Sequence, residues 1–137
     1  MPSRQKADMI ANHVVLVRPS QTQPGLLDEL LLRSGWTVYT AQTCREALQI
    51  LSEKNISVVL CESSLPDGNW KDLLNGLAAF SCAPRLIVIS RLADDALWAE
   101  VLNLGGYDVL AEPFDENEVA RVVAGADRAF RSRAQSG

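Results

Sequence analysis

The sequence predicts an α/β fold, a doubly wound (βα)5 arrangement in which five parallel strands form one sheet with helices on both faces. Three observations predict it. Apolar segments of strand length alternate with helical patterns, three of these segments are uninterrupted apolar runs, and turn residues separate the elements. Uninterrupted apolar runs are typical of parallel strands that are buried on both faces. Because crossovers between parallel strands are right-handed, the alternation places helices on both faces of the sheet.

The predicted strands are rich in valine, leucine and isoleucine. They are Val14–Val17, Thr37–Ala41, Val58–Cys61, Leu86–Ser90 and Val109–Ala111. The first, third and fourth are the uninterrupted apolar runs, so we expect them at the centre of the sheet. The expected strand order is 2-1-3-4-5, the order of the flavodoxin-like fold, whose ligands bind at the carboxyl ends of strands 1 and 3.

A helical pattern follows each predicted strand, and most of these patterns begin at a residue that caps helices. The helices are expected to begin at Leu26, Thr43, Lys71, Asp94 or Asp95, and Asp115. Thr43 and Glu46 form a capping-box pattern, in which the threonine side chain accepts from the Glu46 backbone N–H and the glutamate side chain accepts from the Thr43 backbone N–H. Gly35 and the pair Gly105–Gly106 end the first and the fourth helix, and the third ends at Phe80.

Length and composition indicate a single domain. The chain has 137 residues, of which 47% are apolar and 22% charged, and a net charge of −4. We expect a folded domain over residues 13–131, an N-terminal tail over 1–12 and a C-terminal tail over 132–137. The negative charge argues against nucleic-acid binding, and no apolar run approaches the length of about 18 residues that crosses a membrane. Because the first residues also lack a signal peptide, we expect a cytoplasmic location.

The main candidate site residue is an acid at the end of a buried strand. Val58–Cys61 is followed directly by Glu62 and then by the turn Leu65–Gly68, in which Asp67 is expected to be a turn residue. Because the carboxyl ends of parallel strands meet at one edge of the sheet, other residues after strands should lie nearby. Those residues are Arg18, Pro19, Ser90 and Glu112.

Several segments resemble the receiver domain of two-component response regulators, a CheY-like family. They are the loop LPDG at 65–68, the segment GGYDVL at 105–110 and the turn EPF at 112–114, together with the order of the elements. The resemblance covers about residues 12 to 131. It implies a domain that takes a phosphoryl group from a histidine kinase onto an aspartate after strand 3, with Mg²⁺ held by acids after strand 1. It also implies a hydroxyl after strand 4, a lysine after strand 5 and an aromatic switch residue on strand 5.

This sequence departs from the family pattern at most of those positions. Glu62 falls at the phosphoacceptor position, and Arg18–Pro19 falls where the acid pair would be. Glu112 replaces the lysine, and Val109 replaces the aromatic switch. Only Ser90 matches, at the position of the hydroxyl.

These replacements predict a degenerate pseudo-receiver that is not phosphorylated and is not an enzyme. Mg²⁺ requires carboxylate oxygens, and Arg18 places a positive charge where that ion would lie. Phosphoryl transfer depends on positioning and electrostatic stabilisation, and Glu112 would repel the phosphoryl group. We therefore expect no metal and no cofactor, an ion pair between Arg18 and Glu62, Glu112 or both, and a function in binding a histidine kinase or an output protein. One histidine and three cysteines without C-x-x-C spacing also predict no zinc site.

Three alternatives remain open from the sequence. Glu62, one methylene longer than aspartate, either imitates the phosphorylated state or is a remnant that pairs with Arg18. A residual active receiver could still use Glu62. A flavodoxin-like module that binds FMN or another phosphate-bearing ligand is the other class, with Ser20 and Thr22 as phosphate contacts and Trp70 as a stacking residue.

The fourth helix suggests a partner surface. Leu97, Val101 and Leu104 form a stripe that is expected to face the core, whereas Trp98 and Leu102 form a second pair rotated by about 100°. This second pair is expected to be partly exposed, either packed over a neighbouring helix or available to a partner. The resemblance implies a surface of helix 4, strand 5 and helix 5, through which receiver domains often form homodimers.

Overall fold

The computed structural model describes residues 13–19, 25–92 and 94–136. It contains the predicted alternation of strands and helices, and the α/β fold class is confirmed. The elements are β1 (His13–Val17), α1 (Leu26–Arg33), β2 (Thr37–Ala41), α2 (Cys44–Glu53), β3 (Val58–Glu62), β4 (Ser64–Leu65), β5 (Gly68–Asn69), α3 (Trp70–Leu77), β6 (Arg85–Ser90), α4 (Asp95–Leu104), β7 (Asp108–Ala111) and α5 (Glu116–Ser136).

The main sheet has the predicted topology. Its order is β2-β1-β3-β6-β7, and every neighbouring pair is parallel. This corresponds to the expected order 2-1-3-4-5, because β4 and β5 form a separate antiparallel hairpin just after β3. All five carboxyl ends therefore lie at one edge of the sheet, and all five amino ends at the other.

The core has one layer on each face of the sheet. On one face, alternate residues of the central strands pack against apolar residues of α2, α3 and α4, including Leu51, Leu73 and Val101. On the other face they pack against α1 and α5, including Leu27 and Val123. Both sides of β1, β3 and β6 are thus buried, which explains their uninterrupted apolar runs.

The helices α2, α4 and α5 begin at their predicted capping residues, whereas α3 begins at Trp70, one residue before the expected Lys71, and is capped by Asn69. The Thr43 hydroxyl accepts from the Glu46 backbone N–H at 3.0 Å, and the Asp94 carboxylate accepts from the Leu97 N–H at 2.9 Å. Asp94, and not Asp95, is therefore the N-cap of α4. These side chains satisfy N–H groups that have no partner within the first turn of a helix.

Two helix ends differ from the sequence expectation. The third helix ends at Leu77 and not at Phe80, because the chain continues in bonds between residues three apart, such as that from the Phe80 N–H to the Leu77 carbonyl at 3.0 Å. The last helix continues to Ser136, past the expected boundary at residue 131. The middle of this helix is attached to the start of β3 by a 2.7 Å hydrogen bond from the Ser57 hydroxyl to the Asp127 carboxylate. The expected N-terminal tail at 1–12 lies outside the described residues.

Candidate functional site

The carboxyl edge of the sheet contains a cluster of one arginine and two glutamates. The Arg18 Nε donates to Glu62 Oε2 at 2.6 Å, and its Nη2 donates to Glu112 Oε2 at 3.1 Å. The prediction that Arg18 pairs with Glu62, Glu112 or both is confirmed, and the structure shows both pairs. One guanidinium therefore joins the ends of β1, β3 and β7.

Backbone bonds of the sheet fix the positions of these three residues. The Arg18 N–H donates to the Ala41 carbonyl at 2.9 Å, which extends the β1–β2 pairing by one residue. Glu62 is the last residue of β3 and pairs with Ile89 in β6. The Glu112 N–H donates to the Ser90 carbonyl at 3.2 Å, which extends the β6–β7 pairing.

The cluster is partly withdrawn from water. The exposed fractions of the Arg18, Glu62 and Glu112 side chains are 18%, 29% and 25%. The guanidinium carbon also lies 6.0 Å from the centre of the Phe114 ring, so an aromatic residue of the EPF turn contributes a cation–π contact. Partly buried charges are stable when they have partners, and the arrangement supplies one cation for two carboxylates.

Ser90 lies beside this cluster but already has a structural role. Its hydroxyl oxygen accepts from the Leu92 backbone N–H at 3.1 Å and holds the turn after β6. Ser90, Glu62 and Glu112 line an open depression together with Ser63 and Arg91. Of the residues that the sequence analysis expects at this edge, Arg18, Glu62, Ser90 and Glu112 lie together there.

The residues at this edge do not fit Mg²⁺. This ion requires several oxygen ligands in a near-ideal octahedron, usually including carboxylates. Both carboxylates here accept hydrogen bonds from Arg18, whose permanent positive charge would repel a cation. Within the ranges that the structure describes, no three His, Cys, Asp or Glu side chains are grouped so that they could hold a metal ion.

Val109 occupies the position where the resemblance implies an aromatic switch. Its side chain is buried and packs in the core layer that faces α2, α3 and α4. Valine is short and β-branched, with few accessible rotamers, so a rotamer change at this position would not move the side chain between the core and the surface. Tyr107, two residues earlier, stacks instead on Arg85, whose guanidinium carbon lies 5.7 Å from the ring centre.

Asp67 has a role that the sequence analysis missed. Its carboxylate accepts from the Cys44 and Arg45 backbone N–H groups at 2.9 and 3.1 Å, so it caps α2 from the neighbouring loop. The hydrogen bond from Cys44 is the main reason that the pKa of Asp67 lies below its ordinary value. Thr43 caps the same helix and marks its N-terminus in the sequence. The turn sequence around Asp67 already accounted for an aspartate there, so it gave no reason to expect a contact with α2.

The two buried cysteines near this edge are not reactive thiols. Burial is the main cause that raises the pKa of Cys44 to about 11, and the neighbouring Asp67 and Asp72 raise it further. Burial also strongly raises the pKa of Cys61. Thiolates are the nucleophilic form, and both cysteines therefore remain protonated near neutral pH.

Trp70 cannot serve as the stacking residue that the FMN-binding alternative requires. Trp70 is buried in the core beside Leu73 and Leu77, so its ring is not available to stack on a flavin. Ser20 and Thr22, the expected phosphate contacts, lie outside the described residues.

The fourth helix exposes the predicted pair and one further large apolar residue, Leu104. Trp98 and Leu102 are 50% and 38% exposed. The Trp98 indole N–H donates to Asp108 Oδ1 at 3.1 Å, which attaches the ring to the start of β7. The expectation that Leu104 faces the core is wrong, since it is 53% exposed. It is the last residue of α4 and lines a cavity at the amino edge of the sheet.

Comparisons with known proteins agree with this fold. The family model of the response regulator receiver domain matches residues 14–124. The transcriptional regulatory protein KdpE of Mycobacterium tuberculosis is 32% identical over 119 residues, which cover 84% of this chain and 52% of that protein. CpxR of Escherichia coli is 31% identical over 126 residues, which cover 90% and 53%. The chain thus spans about half the length of these two regulators.

The solved structures include a signal receiver domain of an HD domain-containing protein from Pseudomonas fluorescens Pf-5. It superposes with a TM-score of 0.78 at 23% identity and covers 90% of this chain and 91% of that one. A likeness at this level of identity supports the fold. The family model matches residues 14–124, which run from β1 into α5. The chain belongs to the family of response regulator receiver domains.

Proposed function

We propose that this domain is a pseudo-receiver, a signalling domain of a two-component phosphorelay system that is not phosphorylated and acts through protein–protein contact. One observation supports this most. Arg18 is bonded to Glu62, the residue at the phosphoacceptor position, and to Glu112, the residue at the lysine position.

The electrostatics of the cluster oppose phosphoryl transfer. A carboxylate that attacks phosphorus needs cations that neutralise the phosphoryl oxygens in the transition state. The cation bonded to Glu62 is Arg18, and both of its bonded partners in the cluster are carboxylates. Glu112 adds a negative charge where the family supplies a lysine, so an incoming phosphoryl group would meet repulsion.

Among the alternatives for Glu62, we propose the remnant that pairs with Arg18. The 2.6 Å hydrogen bond from the Arg18 Nε holds its carboxylate toward β1. Mimicry of a phosphorylated state also requires a residue that responds, and Val109 is packed in the core. The cluster then stabilises the sheet edge without controlling a switch.

The proposed partners are a histidine kinase or an output protein. KdpE and CpxR are described as transcriptional regulatory proteins, and this chain matches about half of each. A surface for homodimer formation is proposed on α4, β7 and α5, which we call the α4–β7–α5 face. Trp98 and Leu102 are its exposed apolar residues, and aromatic residues are frequent anchors of interfaces.

Intact mass spectrometry after incubation with acetyl phosphate and Mg²⁺ tests the proposal. We expect no added phosphoryl group in the native chain. A matched control replaces the degenerate positions together, as Arg18→Asp, Pro19→Asp, Glu62→Asp and Glu112→Lys, with circular dichroism to verify the fold. Addition of one phosphoryl group to the native chain, lost in Glu62→Gln, would show a residual active receiver and contradict the proposal.

A further inference from the structure

A cavity lies at the amino edge of the sheet, opposite the Arg18 cluster. It has a volume of about 280 Å³ and lies between the ends of α3 and α4 and the start of β6. Its walls combine apolar and polar residues, among them Leu74, Leu77, Leu104, Asn75, Arg85 and Arg133. The position explains why Leu104, at the end of α4, is exposed and not packed in the core.

The charge of this cavity is opposite to that of the chain. The chain has a net charge of −4, yet the two charged residues that line the cavity are both arginines, Arg85 and Arg133. A concave surface lined by one sign of charge concentrates ligands of the other sign. The cavity is therefore suited to an anion.

Arg85 provides a second, independent indication. Its Nε is buried and has no hydrogen-bond partner among the residues that the structure describes. Most buried donors in native proteins are paired, so the Arg85 guanidinium has an incomplete set of hydrogen bonds beside the cavity. The Nε itself is buried in the protein and is not the atom that a ligand would contact. The contact with the Tyr107 ring, 5.7 Å from the guanidinium carbon, orients Arg85 at the start of β6.

We propose that this cavity binds a small molecule that has one carboxylate on a short apolar body. Arginine pairs with carboxylates through charge-assisted hydrogen bonds, and Arg85 and Arg133 would contact that end of the ligand. The three leucines and the neighbouring alanines would contact the apolar body. The volume is near the lower limit of small-molecule pockets, so the body is short.

This proposal is independent of the phosphorylation state of the domain. The cavity shares no lining residue with the depression that contains Glu62 and Glu112, and the two lie at opposite edges of one sheet. A result that contradicts the pseudo-receiver proposal would therefore not contradict the proposed ligand site, and the reverse also holds.

Titration of the isotope-labelled chain with hexanoate, followed by amide chemical shifts, tests the proposal. We expect saturable shifts at Ala78, Leu104 and Gly105, and none at Glu62 or Ser90. Hexanamide has the same apolar body without the charge and should bind at least about tenfold more weakly, because it lacks the charge-assisted hydrogen bonds. Absence of saturable shifts with hexanoate would overturn the proposal.

Variants and a second anion separate the remaining outcomes. Arg85→Gln and Arg133→Gln should each weaken hexanoate binding by about tenfold, whereas Arg121→Gln, at an exposed arginine of α5 outside the cavity, should not change it. Because Arg85 contacts Tyr107, Arg133→Gln remains informative if Arg85→Gln fails to fold. Equal weakening in Arg121→Gln, or binding of inorganic phosphate as tight as that of hexanoate, would refute the assigned ligand class.

Discussion

Replacing Arg18 with alanine tests the energetic role of the cluster at the carboxyl edge. The substitution removes the bonds of 2.6 and 3.1 Å to Glu62 and Glu112 and leaves two carboxylates with no cation between them. Removing one partner of an ion pair costs more than the pair contributes, because the remaining charge keeps its desolvation penalty. We expect Arg18→Ala to lower the free energy of unfolding.

The exposure of the three side chains sets the expected magnitude. Fully exposed ion pairs contribute about 0–1 kcal/mol, and loss of one partner of a buried pair costs about 3–5 kcal/mol. Exposed fractions of 18%, 29% and 25% place the cluster between these limits. We therefore expect a loss of about 1–3 kcal/mol.

Urea unfolding followed by tryptophan fluorescence measures this loss as a shift of the midpoint at constant slope. The matched control is Arg33→Ala, which removes an ion pair to Glu116 with an N–O distance of 3.8 Å and exposed fractions of 57% and 55%. That variant should change stability by less than about 0.5 kcal/mol. If Arg18→Ala were no more destabilising than Arg33→Ala, the cluster would not stabilise the sheet edge and the reasoning would fail.

Two further predictions concern the loop after β3 and the α4–β7–α5 face. Asp67→Ala should lower stability near neutral pH by up to about 1 kcal/mol, since it removes a cap of α2. The pKa of Asp67 is lower in the folded state than its ordinary 3.8, so its contribution to stability is present above pH 3.8 and lost at lower pH. A difference in unfolding free energy between Asp67→Ala and the native chain that stayed unchanged down to pH 2 would contradict the cap. Trp98→Ala should weaken self-association in sedimentation over a concentration series, whereas Leu32→Ala, at an exposed leucine of α1, should not; a native chain that stays monomeric would exclude the homodimer.

The sequence was informative where a local pattern determines a structure. The apolar runs of β1, β3 and β6 predicted central strands because no other element buries both faces over so few residues. The order of those strands then placed the residues after them at one edge, so the pairing of Arg18 with Glu62 and Glu112 followed from topology and charge.

It was uninformative where a contact depends on the relative position of distant segments. Asp67 bonds residues that lie more than 20 positions earlier, and a turn sequence describes only its local backbone. Leu104 has the helical spacing of a core residue, but the helix ends there and the residue lines a cavity. The later turns of α5 contain arginines and few apolar residues, so periodicity did not predict that the helix continues to Ser136.

Under the proposed function, the carboxyl edge of this domain cannot receive a signal. A ligand shifts a conformational equilibrium only by binding one state more tightly than another, and a phosphoryl group that does not bind shifts nothing. Arg18 is bonded to both carboxylates and offsets part of their charge, so this edge is already occupied by its own ion pairs. Any regulated input must then act elsewhere, through partner binding at an exposed face or through the arginine-lined cavity at the opposite edge. Hexanoate binding that changed the self-association of the α4–β7–α5 face would identify the cavity as that input, because Leu104 lines the cavity and lies on the same helix as Trp98.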